Sequence, residues 1–163
     1  MMGYLFDGQP LTEVEQAEFL AHSEWGRQVL QRLGMRDVDL EKVYTLVSDW
    51  WAAHDGPPYS EQERMEARLH LEWLRSVLEK TARLQPGVTR GELKQLFTGG
   101  GGTYATVCRT YLYRTCSWIQ VKVEFRIMGR PERDENGRVP FDEEDRDIIT
   151  KISRPYLGGQ IYD

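Results

Sequence analysis

With 163 residues, 40% apolar and 29% charged side chains and five Trp, the chain has the make-up of a globular protein and falls outside the disordered and fibrous classes. It can bury roughly two-thirds of its unfolded surface, enough for one ordinary domain or two small ones sharing a core. A net charge of −5 argues against nucleic acid as a bulk electrostatic partner, and no apolar run approaches the roughly 20 residues of a membrane span.

Thr12 to Glu15 reads as a capping box, and Leu11, Val14, Ala17, Ala21, Trp25, Val29 and Leu33 follow at steps of three and four up to Gly34. That spacing predicts an amphipathic helix with a glycine stop. A second helix is expected from near Asp37, with Leu40, Val43, Tyr44, Val47, Trp50 and Trp51 on one stripe, ending before Asp55-Gly-Pro-Pro58. The third opens at another capping box, Ser60 to Glu63, and carries Leu69, Trp73, Leu74, Val77 and Leu84. Short connections imply an antiparallel three-helix bundle over residues 1–84.

Residues 85–163 change character. Gln85-Pro-Gly87 breaks the helical pattern, and a third capping box, Thr89 to Glu92, launches a short helix through Leu93, Leu96 and Phe97. Gly99 to Gly102 reads as a hinge, and Tyr104 to Arg114, rich in Thr, Tyr and Val, as a first strand. In the central run from Trp118 to Met128, Ile119, Val121, Val123, Phe125 and Ile127 alternate with Gln120, Lys122, Glu124 and Arg126. A period of two puts one set in the core and the other in water. A polar loop containing Asn136-Gly137 follows, then a last strand over Asp147 to Arg154 that Pro155 ends. The fold expected is α+β: an N-terminal three-helix bundle, a short helix and a three-stranded antiparallel sheet.

Cys108 and Cys116 would stand about 26 Å apart on one extended strand at roughly 3.3 Å per residue, beyond disulfide reach, so free thiols are expected. The first residues lack a basic, then apolar, leader pattern. Together these features point to the cytoplasm.

The order Pro86 to Leu93, glycine-rich turn, Tyr-rich strand and a strand ending in Val123-Glu-Phe125 resembles the small helix-plus-sheet modules of the SmpA/OmlA outer-membrane lipoprotein family and the β-lactamase-inhibitor-like fold. Arg109 to Arg114, Ile119 to Phe125 and Lys151 to Leu157 resemble a module that recurs at the end of uncharacterised bacterial proteins. The resemblance covers residues 84–163. It implies a binding scaffold with no catalytic residue to carry over, and the chain has neither a lipoprotein signal nor a lipidatable N-terminal Cys.

Nothing in the chain spells out a reaction. Glu18 with His22, and Glu66 with His70, are i, i+4 pairs on predicted helices, so two helices could gather four metal ligands. The Glu-x-x-His spacing of di-iron bundles is missing, and a hydrogen-bonded structural histidine is the simpler reading of His22, His54 and His70. Gly99 to Gly102 follows a helix and precedes a strand, the reverse of a phosphate cradle. Asp142 to Asp145 and Asp147 read as a solvated acidic loop lying loosely over the sheet. Thr103 to Arg130 holds five bases against one acid, with aromatics interleaved. Arg109, Tyr111, Tyr113, Trp118, Lys122 and Arg126 therefore form the candidate partner surface, since arginine with aromatics is hot-spot chemistry for protein interfaces. The functional expectation is a non-catalytic interaction or scaffold module with a protein partner and no cofactor. The alternative is a small metal protein or enzyme built on Glu18, His22, Glu66 and His70.

Overall fold

The computed structural model describes residues 11–33, 37–54, 60–100, 108–129, 133, 135–137 and 143–158. The fold mixes helix and sheet in the order α1 (Glu13–Leu33), β1 (Val38–Asp39), α2 (Leu40–His54), α3 (Glu61–Thr81), α4 (Arg90–Lys94), β2 (Phe97–Gly99), β3 (Cys108–Tyr113), β4 (Cys116–Arg126), β5 (Ile148–Ile152) and β6 (Tyr156–Leu157).

All three capping boxes form. At α1 the Thr12 N–H donates to Glu15 Oε2 (2.9 Å) while Glu15 N–H donates to Thr12 Oγ1 (3.3 Å), and Ser60 with Glu63 and Thr89 with Glu92 close the same reciprocal pair. Asp39 caps α2 by accepting the N–H groups of Glu41 and Lys42. Pro86 and Gly87 turn the chain between α3 and α4. Val88 N–H donates to Gln85 O, and Gly87 takes φ +100°, the left-handed corner that a type II turn reserves for glycine.

Among the described residues the sheet has six strands, all paired antiparallel, in the order β1-β6-β4-β3-β2, with β5 also on β4. The eleven residues of β4 are its axis. One edge pairs with β3; the other is shared, Ile119 and Gln120 facing β6 and Val123 to Arg126 facing β5. In the gap between β5 and β6, Ser153 Oγ accepts the Lys122 N–H and Ser153 N–H donates to Lys122 O, so the ladder is continued by a side chain. Pro155 lies where no ladder donor is needed.

Three strands escape the expected count for one reason: β1, β2 and β6 have two or three residues each, too few for alternation to register. Gly99 accordingly belongs to a strand, and Gly100 N–H donates to Thr110 O beside it; Gly101 and Gly102 lie outside the described residues.

The three helices do not stand apart as a bundle. α2 packs on α3, whereas α1 lies on β4. One hydrophobic cluster contains Val38, Leu40, Val43, Leu74, Val77 and Leu84 together with Tyr111, Tyr113, Ile119, Val121, Val123 and Phe125, so both halves of the chain share it. β1, from the first half, pairs with β6 at the end of the second. Gly26 lets α1 come close: a Cβ there would stand 3.1 Å from Cys116 Sγ and 3.5 Å from Trp118. Among the described residues, no helix is long and apolar enough to cross a membrane.

Candidate functional site

The β3–β4 register divides the expected basic aromatic surface. Arg109 pairs with Val123 and Tyr111 with Val121, while Thr110 pairs with Lys122. Residues opposite one another share a face. Arg109, Tyr111 and Tyr113 therefore point with Val121 and Val123 toward the core, and Lys122 and Arg126 point the other way. Tyr111 and Tyr113 are buried, and burial raises both phenols, that of Tyr113 to about 12. Trp118 is half-buried beside Gly26, and Arg114 is tied to α1 through Glu15 (Nε to Oε1, 2.8 Å), which holds that carboxyl below its usual range. Lys122 and Arg126 remain exposed, with Lys122 Nζ 5.7 Å from the centre of the Tyr156 ring. Beside them, Lys151 stands 3.6 Å from Glu124.

The core face carries a charged cluster centred on Arg90, the first residue of α4 and fully buried. Its Nε donates to Asp147 Oδ2 (3.1 Å) and its Nη1 to the Tyr111 hydroxyl (2.7 Å), and the guanidinium lies 3.8 Å from the centre of the Phe125 ring. Nη2 also stands 3.1 Å from Asp147 Oδ2, within ion-pair distance but outside hydrogen-bonding geometry. Asp147, equally buried, accepts the N–H groups of Met128 and Glu144 as well. Two buried charges persist because each is paired and the remaining lone pairs are met.

Asp142 lies outside the described residues, and Glu143 to Asp147 of the acidic loop are thus docked on α4 and the core-side cluster, against the expectation that the loop lies loosely over the sheet. Asp147 is its anchor, the Asp147 and Asp145 carbonyls accept the N–H groups of Arg90 and Gly91, and Asp145 pairs with Lys94 at 3.1 Å. Gly91 makes the approach possible, since a Cβ there would meet Asp145 Cβ at 3.2 Å. Glu143 completes the cluster, its Oε1 3.3 Å from Arg90 Nη1 and 2.5 Å from Arg109 Nη1. Sequence reasoning passed over Arg90 as one residue of a capping box. A cation in the first turn of a helix opposes the helix dipole, and that local conflict is the signal that a tertiary anion awaits it.

The helical layer brings His22 and His70 together, Nδ1 to Nδ1 at 2.9 Å. Such a contact needs one Nδ1–H donor and one bare Nδ1 acceptor, so the two rings cannot both be protonated while it holds. His22 stacks on Trp73 (centroids 3.9 Å apart) and His70 on Trp25 (5.3 Å). Burial, then the charge of His70, pushes His22 down to about 4; burial lowers His70 too, against the opposing charge of Glu66. Glu18 and Glu66 do not join them as a ligand set: no group of three His, Cys, Asp or Glu among the described residues stands close enough to hold a metal ion. The side chain of His54 lies outside the described residues. Both cysteines are free; Cys116 donates to the His22 carbonyl (3.8 Å) and burial raises its thiol to about 12, while Cys108 is exposed.

No family model, curated protein or solved structure matches this chain.

Proposed function

We propose that the chain is a non-catalytic protein-interaction module, working in the cytoplasm as its free thiols lead one to expect. The resemblance of residues 84–163 to scaffold modules agrees with this reading, and the observation that carries it is a division of labour among the polar groups. Those with reactive potential that are buried hold the fold: His22 and His70 bond to each other, Cys116 to a carbonyl, and Tyr111 and Asp147 to Arg90. Lys122 and Arg126 stand exposed on the outer face of β4, Lys122 with its Nζ over the Tyr156 ring. Exposed cations on a rigid strand suit the recognition of a partner protein, where charge sets specificity and encounter rate more than fold stability.

Capture of partners from a lysate of the source organism tests the proposal, comparing the unaltered chain with Lys122→Glu/Arg126→Glu. The double reversal should remove specifically captured protein while the melting temperature stays within about 2 °C, as expected of surface substitutions. Undiminished capture would remove this face from the account.

A further inference from the structure

Arg90 contacts two carboxylates, and they differ in kind. Asp147 is buried and accepts three N–H groups, so it belongs to the fold. Glu143 sits at the rim with 34% of its side chain exposed, and Arg109, the second cation it bridges, is 33% exposed. Both guanidinium groups have further contacts besides Glu143. Arg109 lies along the backbone of Gly99 and Gly100, its Nε donating to Gly100 O (3.3 Å), and a Cβ on Gly99 would come within 2.9 Å of its Nη2. Arg90 is fixed by Asp147, Tyr111 and the Phe125 ring. Withdrawing Glu143 would leave two oriented guanidinium groups, one opening to solvent.

We propose that the notch between Arg90 and Arg109 is a carboxylate-binding site for an acidic segment of a partner protein, which Glu143 occupies in cis as an autoinhibitory stand-in. The proposal rests on the interaction-module reading and adds a second contact point, on the opposite side of the sheet from Lys122 and Arg126. The ligand class follows from charge. Asp147 cancels Arg90, so among the described residues the site carries the single uncompensated charge of Arg109 once Glu143 leaves, and a monoanionic carboxylate matches it. A phosphate dianion would bring surplus charge close to Asp147. Exchange of one carboxylate for another at a half-exposed rim keeps Arg109 paired before and after. A tethered Glu143 at this exposure holds back binding in trans by no more than about fivefold, and its removal should restore that factor.

Fluorescence anisotropy with a labelled hexaglutamate peptide at fixed ionic strength decides the matter. Glu143→Gln should bind severalfold tighter than the unaltered chain, up to about fivefold. Glu124→Gln, which changes net charge equally but on the outer face, should match the unaltered chain, and Arg109→Gln added to Glu143→Gln should abolish the gain. Equal affinities for Glu143→Gln and Glu124→Gln would overturn the proposal, as would inorganic phosphate competing as well as the peptide. If Glu143→Gln does not fold, the unaltered chain still answers: the Arg109 Nε–H resonance must move with millimolar hexaglutamate and not with hexaglutamine, and a stationary signal overturns the site. The probe is a defined peptide, so failure here leaves partner capture through Lys122 and Arg126 standing; capture undiminished by their reversal, with peptide binding intact, would instead remove the outer face and leave this site.

Discussion

The protein joins its two halves at two places by opposite chemistry. Where α4 and the acidic loop meet the sheet, the link is ionic: Arg90 is buried on Asp147, Tyr111 and Phe125. Where α1 crosses α3 and lies on β4, the link is neutral: His22, His70, Trp25 and Trp73 stack ring on ring, and Gly26 admits Cys116 and Trp118. A buried ion pair contributes little net stability when whole and costs much when half of it is removed, whereas a ring stack loses in proportion to what is trimmed. The two junctions should therefore break differently.

The sharpest break is expected from Arg90→Met, which strands Asp147 without its cation. It should cost about 3 to 5 kcal/mol in chemical denaturation. Adding Asp147→Leu should recover part of the loss and no more, because the Met128 and Glu144 N–H groups would then lack their acceptor. Full additivity of the two single losses would mean that the residues are not coupled. Phe125→Ala belongs to the same class, at about 3 to 5 kcal/mol, since the buried ring also floors Arg90.

At the neutral junction, Gly26→Val should cost about 1 to 3 kcal/mol by forcing side-chain atoms against Cys116 and Trp118. Gly26→Ala should cost less, and no difference between the two would place α1 farther from β4 than described.

Acid should loosen the neutral junction. The folded chain keeps His22 uncharged down to about 4, while the unfolded chain takes up that proton near 6.5. The contribution is complete above about pH 6.5 and is lost as pH falls from there toward 4, an effect of about 1 to 2 kcal/mol after allowing for partial solvent access of the pair. His22→Phe should flatten the dependence of stability on pH across that window; an unchanged slope would assign it to other groups. The smallest effect should be that of Arg126→Ala, within about 0.5 kcal/mol, because its side chain is exposed on the outer face.

What could be read from the sequence depended on the range of the interaction. Capping boxes are local, and all three appear as written. The alternation in β4 is also local, and it separates buried Ile119, Val121, Val123 and Phe125 from exposed Lys122 and Arg126, but it fails at Gln120, which is expected in water and is buried, its amide toward the Gly158 carbonyl. Register is not local. Arg109, Tyr111 and Lys122 look like one surface until pairing with β4 sets Arg109 opposite Val123 and Thr110 opposite Lys122. Pairing across the chain was equally hidden: Arg90 meets Asp147 57 residues away, and His22 meets His70 48 residues away. The i, i+4 spacing drew attention to both histidines but suggested shared ligation with Glu18 and Glu66, where the fold uses the two rings as each other's hydrogen-bond partner.

One nuclear magnetic resonance titration from pH 7.5 to 3.5, following the His22 ring and the Arg90 Nε–H in the unaltered protein, tests the contrast between the two junctions most directly. The account predicts that His22 stays neutral through pH 6.5 and titrates near 4, while the Arg90 signal is protected from exchange at neutral pH by its bond to Asp147. A His22 midpoint near 6.5, or an Arg90 Nε–H that exchanges like a free guanidinium at neutral pH, would contradict it.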